Sequence, residues 1–291
     1  MAAATLRQML AEKRFIIAPG VFDGFSAMLA NRTGFDALYM TGYGVSASRY
    51  GLPDAGLTTL TDMLAALQII RSLTDKPIIA DADTGYGGLL NVRHTVRRYE
   101  AAGANAIQIE DQEIPKKCGH TLGRRVIPMA EMAAKVQVAV EARRSPETLI
   151  IARTDARTAH GLDEAIARAR AYAEAGADIL FVESPESEAE IARIGREVNA
   201  PLVANMVPKG ARTPELPAAR LQQLGFDMAI YPGVGFGAAL GAMEQAYAYL
   251  KQHGASDADG PVSLAGTHSL TGFPEVWALE KDWDARFGNK N

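Results

Sequence analysis

Cysteine is almost absent: Cys118 is the only one in 291 residues. A single thiol excludes an intrachain disulfide and fits a reducing compartment. Long apolar runs are absent too, since none approaches the roughly 18 residues that span a bilayer. The first residues, Met1-Ala2-Ala3-Ala4-Thr5-Leu6-Arg7-Gln8, contain no basic segment followed by a long apolar one. No secretory signal and no membrane partner are therefore expected, and a soluble cytoplasmic protein is. Positive charge is not in excess: 30 Lys and Arg face 34 Asp and Glu, for a net charge of −4. That balance argues against a nucleic-acid partner. Histidine is scarce, and none of His94, His120, His160, His253 and His268 sits at a strand end with ligand spacing. Zinc is disfavoured on that ground.

What is present is a series of short apolar runs. They are 15–18, 37–40, 77–80, 106–109, 149–152, 179–182, 201–204 and 228–231. Near-continuous apolar runs mark strands buried on both faces, as in a parallel sheet. Amphipathic stretches lie between them, such as Met129, Met132, Ala133, Val136 and Val140, or Leu162, Ile166, Ala169 and Ala173. These stripes are core-facing helix sides. Eight β–α units in series predict an α/β fold of the (β/α)8 TIM type. A doubly wound open sheet is the runner-up, but no Gly-x-Gly-x-x-Gly follows the first run. The segments 101–107 and 174–180 echo each other as helix end, glycine cap and next strand.

Residues 1–250 are expected to form the barrel and 251–291 a linker and helical tail. The linker is the loose stretch 252–261. The final helix is expected from about Pro274, with Val276, Leu279, Trp283 and Phe287 on one face, and both tryptophans of the chain lie in this tail. Such a helix packs on the barrel or docks on another subunit, and the second is favoured.

In this architecture chemistry collects at the C-terminal strand ends. Those positions read Tyr39-Met40-Thr41-Gly42-Tyr43 with Asp54 further on, Asp81-Ala82-Asp83, Glu110-Asp111-Gln112, Arg153-Thr154-Asp155, Glu183-Ser184 and Asn205. Asp81 and Asp83, two apart on a strand, are expected to point the same way. With Glu110 and Asp54 they make an oxygen-rich set for a hard cation, Mg²⁺ first and Mn²⁺ second. Asp111 and Asp155 are read equally well as functional acids or as structural ones that cap helix N-termini or pair with arginine. Glycines 85, 87 and 88 need mean no more than a tight turn. Arg153 suits bidentate binding of a substrate carboxylate. Cys118 lies in Lys116-Lys117-Cys118-Gly119-His120, where the cations are expected to lower its pKa and make it reactive. Together these groups suit a small dianionic hydroxy- or oxo-acid.

The chain resembles the isocitrate lyase/phosphoenolpyruvate mutase superfamily. The resemblance rests on Tyr39-Met40-Thr41-Gly42, Gly51-Leu52-Pro53-Asp54, Asp81 to Gly87, Ile109-Glu110-Asp111-Gln112, Lys116 to His120 and Ala152 to Ala156. The Cys-Gly-His loop resembles the carbon–carbon lyase branch. The resemblance implies a Mg²⁺-dependent barrel, a gating loop, and a homotetramer that exchanges its terminal helix between subunits. It implies Cys118 as general acid, with Lys116, His120, Arg153, Glu183 and Tyr39 as further catalytic candidates. Thr41, Gly42, Tyr43, Gly119, Arg153, Asn205 and Pro232 are the substrate-binding candidates. The general base is open between Tyr39, Tyr43 and metal-bound hydroxide. Thr41-Gly42-Tyr43 and the segment 205–210 depart from the 2-methylisocitrate lyase pattern and favour a smaller 2-alkylmalate such as 2,3-dimethylmalate. The rivals are 2-methylisocitrate lyase, oxaloacetate decarboxylase or hydrolase, a phosphonopyruvate-type mutase or hydrolase, a Schiff-base aldolase and a non-catalytic carboxylate-binding protein.

Overall fold

The computed structural model describes residues 4–207, 211–257, 260 and 262–288. Pro208, Lys209 and Gly210 of the departing segment lie outside them, as do Met1–Ala3 and Ala258, Asp259 and Pro261 of the linker stretch.

Each apolar run is a strand: β1 Ile16–Val21, β2 Leu38–Met40, β3 Ile78–Asp81, β4 Ala106–Glu110, β5 Leu149–Thr154, β6 Ile179–Val182, β7 Val203–Asn205 and β8 Met228–Tyr231. All pairings are parallel, in the order β6-β5-β4-β3-β2-β1-β8-β7. A parallel bridge between Leu180 and Leu202 closes the ring. The sheet is therefore a barrel and not an open doubly wound sheet.

Alternate strand residues fill the lumen: Ile16, Tyr39, Ile79, Ile151, Phe181, Val203, Met228 and Ile230 form one buried cluster with Leu6 and Met9 of helix α1 (Leu6–Ala11). The intervening residues face outward and pack against helices, as Ile78, Ile107, Ile150 and Leu180 do. The crossover helices include α2 Gly24–Thr33, α3 Gly42–Tyr50, α4 Leu60–Ser72, α5 Leu89–Ala101, α6 Met129–Ala142, α7 Ala156–His160, α8 Leu162–Glu174, α9 Glu188–Glu197 and α10 Ala218–Gln223. The two echoed segments each end a helix and turn through a left-handed glycine, Gly103 and Gly176.

The chain divides into two compact units, Met1–Gly237 and Ala238–Asn291. The second contains most of α11 (Val234–His253), then α12 (Leu264–Thr271) and α13 (Phe273–Phe287). α12 is a helix not anticipated from the sequence. Ser263 caps its start by accepting from the Gly266 N–H at 3.1 Å, and Gly272 ends it in the left-handed conformation. None of the described residues in these three helices is buried. No helix among the described residues is long and apolar enough to cross a membrane.

Candidate active site

The strand ends converge on a cavity of about 190 Å³. Its wall holds Tyr39, Thr41, Tyr43, Asp54, Asp81 and Lys116 on one part, and Cys118, Gly119, His120, Arg153, Glu183 and Asn205 on another. Pro232 and Phe236, beyond the end of β8, complete it.

The backbone makes room for charge at two glycines. A Cβ on Gly42 would stand 2.7 Å from Asp81 Oδ2, and one on Gly119 would stand 2.3 Å from the Arg153 guanidinium. Gly42 N–H instead donates to Asp81 Oδ2 at 3.2 Å. Thr41 lines the cavity, but its hydroxyl caps α3 by accepting from Gly44 N–H at 3.2 Å.

A turn, not the strand pleat, sets how Asp83 lies relative to Asp81. β3 ends at Asp81, and Asp83 adopts φ +48°. The Asp83 N–H then donates to Asp81 Oδ1 at 3.1 Å, and Gln108 Nε2 donates to the same oxygen at 3.4 Å. The expectation of two parallel strand side chains is therefore corrected, because the left-handed residue rotates the second carboxylate away. Asp81 and Asp54 line the cavity, whereas Asp83 lines an adjoining cleft with Thr58, Thr84 and Tyr86. Lys116 lines both. Glu110 is buried behind them, its Oε1 without a hydrogen-bond partner. Among the described residues, no group of three or more acidic, histidine or cysteine side chains is arranged to hold a metal directly. A four-carboxylate cage of direct ligands is thus not formed.

Lys116 lies on the loop that carries Cys118 and is buried. Its ammonium pairs with Asp54, and with Asp83 at 2.6 Å. Burial works against the charged form, but Asp83, Glu110, Asp54 and Asp81 outweigh it and hold the pKa well above the lysine norm. A permanently charged amine is not a Schiff-base nucleophile. Burial raises Asp83 to about 6, against the pull of Lys116 and with Asp81 and Asp54 adding to the rise. Burial likewise raises Glu110 well above the carboxylate norm. Lys117 is exposed and reaches Gly123 O at 3.3 Å.

The other half of the site is a closed hydrogen-bond network. Arg153 spends its fork on Asp155, at 2.9 Å for both contacts, so the expected bidentate grip on a substrate is corrected. Its remaining nitrogen meets Glu183 Oε2 at 3.2 Å, and its guanidinium stacks on Phe181 at 5.1 Å. Asn205 donates to Glu183 Oε2 at 3.0 Å, and His120 Nε2 lies 3.4 Å from both Glu183 Oε1 and Asn205 Nδ2. Asp155 also accepts from Arg124 at 2.7 Å. Asp111 accepts from Thr154 at 2.7 Å, Tyr172 at 2.7 Å and Arg168 at 3.0 Å. The reading of Asp111 and Asp155 as arginine partners is the one their geometry supports.

Residues 6–251 match the family model described as phosphoenolpyruvate phosphomutase. The chain belongs to the phosphoenolpyruvate mutase/isocitrate lyase superfamily. It is 46% identical over 283 residues to 2,3-dimethylmalate lyase of Eubacterium barkeri, covering 97% of this chain and 98% of that one. It is 40% identical over 252 residues to 2-methylisocitrate lyase of Bacillus subtilis, covering 87% and 82%. The crystal structure of 2,3-dimethylmalate lyase in its trigonal form, a member of the same superfamily, superposes with a TM-score of 0.90 at 37% identity, covering 98% of this chain and 96% of that one.

Within this superfamily member the thiol differs from expectation. Burial raises the Cys118 pKa above the thiol norm, with a hydrogen bond from the His120 backbone opposing it only in part. The adjacent cations do not dominate, because Lys116 faces carboxylates and Lys117 faces away. Cys118 is therefore a protonated thiol at neutral pH. Tyr39 is similarly neutral: burial, then Asp81, raise its pKa well above the phenol norm, and its hydroxyl donates to Gln108 at 3.3 Å. That removes Tyr39 as a ready base. Tyr43 stands on the cavity rim with its ring 5.7 Å from that of Phe236. Phe236 was missed from the sequence, although reading past β8 as the other strand ends were read would have reached it. Val207 and Gly233 were missed in the same way.

Proposed function

We propose that the chain cleaves the C2–C3 bond of a 2-alkylmalate, 2,3-dimethylmalate or a close analogue, to a 2-oxo acid and a short carboxylic acid. For 2,3-dimethylmalate the products are pyruvate and propionate. The observation that carries this reading is the placement of Cys118 in a small cavity between an acidic and an arginine-bearing wall, where burial holds its thiol pKa above the norm. Ligand pockets for drug-sized molecules run from about 300 to 1,000 Å³. A cavity of about 190 Å³, with Tyr43 at its rim, favours a diacid over the tricarboxylate 2-methylisocitrate.

The donor set suits Mg²⁺. Its members are all carboxylate oxygens, and Glu110 Oε1 is buried without a partner. Mg²⁺ binds through one or two carboxylates and keeps several waters, so a cage of three direct ligands is not required. Asp81 and Asp83 would hold it, with Glu110 and Asp54 reaching it through water. When bound, it supplies charge neutralisation at the substrate's C1 carboxylate and C2 oxygen. Mn²⁺ suits the same donors.

The residues divide the remaining work. Loss of the C2 hydroxyl proton lets the C2–C3 pair move onto C3, leaving a carbonyl at C2 and an enediolate. The Cys118 thiol delivers its proton to C3 as general acid, for which a raised pKa is appropriate. Arg153 and the Thr41–Gly42 turn face the 2-oxo-acid end. His120 and Asn205 orient the second carboxylate, and Glu183 positions both. The base is Tyr43 or solvent-derived hydroxide, since Tyr39 is held neutral. The Lys116–His120 loop closes over the enediolate and excludes water.

A homotetramer that exchanges its terminal helix belongs to the same proposal, as does the division into barrel 1–250 and tail 251–291. It is supported by the unburied faces of α11, α12 and α13 and by exposed Ile17, Phe25 and Leu29 on the barrel. A cytoplasmic setting agrees with the lone thiol.

The test is release of pyruvate and glyoxylate from 2,3-dimethylmalate, 2-methylmalate, 2-methylisocitrate, isocitrate and oxaloacetate, with Mg²⁺, Mn²⁺ or EDTA. EDTA-sensitive cleavage of one alkylmalate, lost in Cys118→Ala, is expected. Turnover of phosphonopyruvate alone would move the chain to the phosphonate branch.

A further inference from the structure

A second, smaller pocket of about 150 Å³ shares His120 with the catalytic cavity. His120, Thr121 and Arg124 come to it from the loop that carries Cys118. Thr158 of α7, Ser184 after β6 and Arg212 after β7 come from the barrel body. The lining holds two guanidiniums, one imidazole and three hydroxyls, and no carboxylate.

One of the two guanidiniums is incompletely satisfied. The Arg124 side chain is only 3% exposed. It donates to Asp155 at 2.7 Å and to Thr158 Oγ1, while its Nε has no partner. A buried charged donor without an acceptor is costly, and the cost is removed by an acceptor oxygen. Arg212, on the body side, is 62% exposed and meets Glu186 at 3.2 Å. The volume equals that of about five waters at roughly 30 Å³ each, the scale of one small oxyanion.

We propose that this pocket binds a small oxyanion of phosphate or carboxylate chemistry, and that the bound anion holds the Cys118 loop against the barrel. One tie of this kind already exists: the Ser184 hydroxyl donates to Gly119 O at 2.7 Å, from a residue held at φ +59°. An anion bridging Arg124 on the loop and Arg212 on the body adds a second. At ten times its Kd, a ligand specific for the closed loop shifts the closed-to-open ratio by about eleven-fold. The effect on the loop rests on the gating role proposed above, whereas the binding does not.

Because Cys118 is the only thiol, its alkylation by iodoacetamide reports loop opening in the full-length protein without ambiguity. The rate is followed against inorganic phosphate and, separately, malonate, with ionic strength held constant by NaCl. Calorimetry gives each anion's Kd. Arg212→Gln removes the body-side cation without touching the catalytic cavity, and Arg212→Lys restores charge. The expected result is a saturable slowing of at least five-fold in wild type and Arg212→Lys, a slowing under two-fold in Arg212→Gln, and a Kd at least ten-fold weaker in Arg212→Gln. The anion whose protection depends on Arg212 names the source. Absence of saturable binding of both anions, or equal affinity and protection in Arg212→Gln, would overturn the site. Arg212-dependent binding with unchanged alkylation would overturn the latch. Neither readout needs turnover, so failure here and failure of the lyase reading are separable.

Discussion

The two halves of the cavity are built on opposite electrostatic plans. On one side three carboxylates, Asp54, Asp81 and Asp83, face one ammonium, Lys116, and Glu110 stands between that ammonium and Arg153 with one buried oxygen lacking a hydrogen-bond partner. On the other, Arg153 is enclosed by Asp155, Glu183 and Glu110, and every contact is within 3.5 Å. The acidic half carries uncompensated charge and is prepared to receive a cation. The arginine half is internally balanced and is a scaffold that positions His120 and Asn205. Buried charge that is paired supports structure, and buried charge that is not is kept for function.

The largest expected effect falls where the halves meet. Cys118→Ala is expected to lower kcat by about 10²–10⁴, the range for loss of a general acid, with little change in Tm. Steady-state rates on the best alkylmalate beside a thermal melt check both. Next, Asp155→Asn leaves two buried guanidiniums short of a partner and is expected to cost about 3–5 kcal/mol of stability, read from urea unfolding. Glu110→Gln is the opposite case. It removes a carboxylate that burial already disfavours, so stability should hold or rise, while the Mg²⁺ concentration for half-activation rises about 10–100-fold. If Glu110→Gln destabilised the fold as much as Asp155→Asn, the contrast between the halves would fail.

The smallest expected effect is in acid. The Asp155 carboxyl is lowered below the carboxylate norm; burial opposes this, but Arg153 and Arg124 outweigh it. A depressed folded pKa gives stability that is fully present above the unfolded value of about 3.9 and is lost as pH falls through the folded value. Wild type should therefore lose urea resistance below about pH 4 more steeply than Asp155→Asn, whose curve lacks this contribution.

Most of the framework was legible in the chain. The run from Leu149 to Ala152 is apolar throughout because β5 is covered on both faces, with Ile151 in the lumen and Ile150 against helices. That pattern needs only local sequence and the rule that strands of a parallel sheet are buried twice. Strand-end reading reached Asp81, Glu110, Arg153, Glu183 and Asn205 for the same reason: a residue's place along a strand decides which end of the barrel it occupies. α12 was not among the expected elements; it is defined by a serine cap and by the left-handed glycine that ends it.

By itself, then, the sequence determined the barrel, the end of it that carries charge, and the superfamily. Periodicity and residue type are local properties, and burial follows from them. Only the tertiary structure decided what each charged group is paired with. Lys116 is a loop cation in the sequence and a buried partner of Asp54 and Asp83 in the fold. Arg153 is a free fork in the sequence and is closed by Asp155 in the fold. Cys118 has cationic neighbours in the chain, yet burial governs its thiol. Electrostatic energy depends on distance and desolvation, and neither is a property of sequence order.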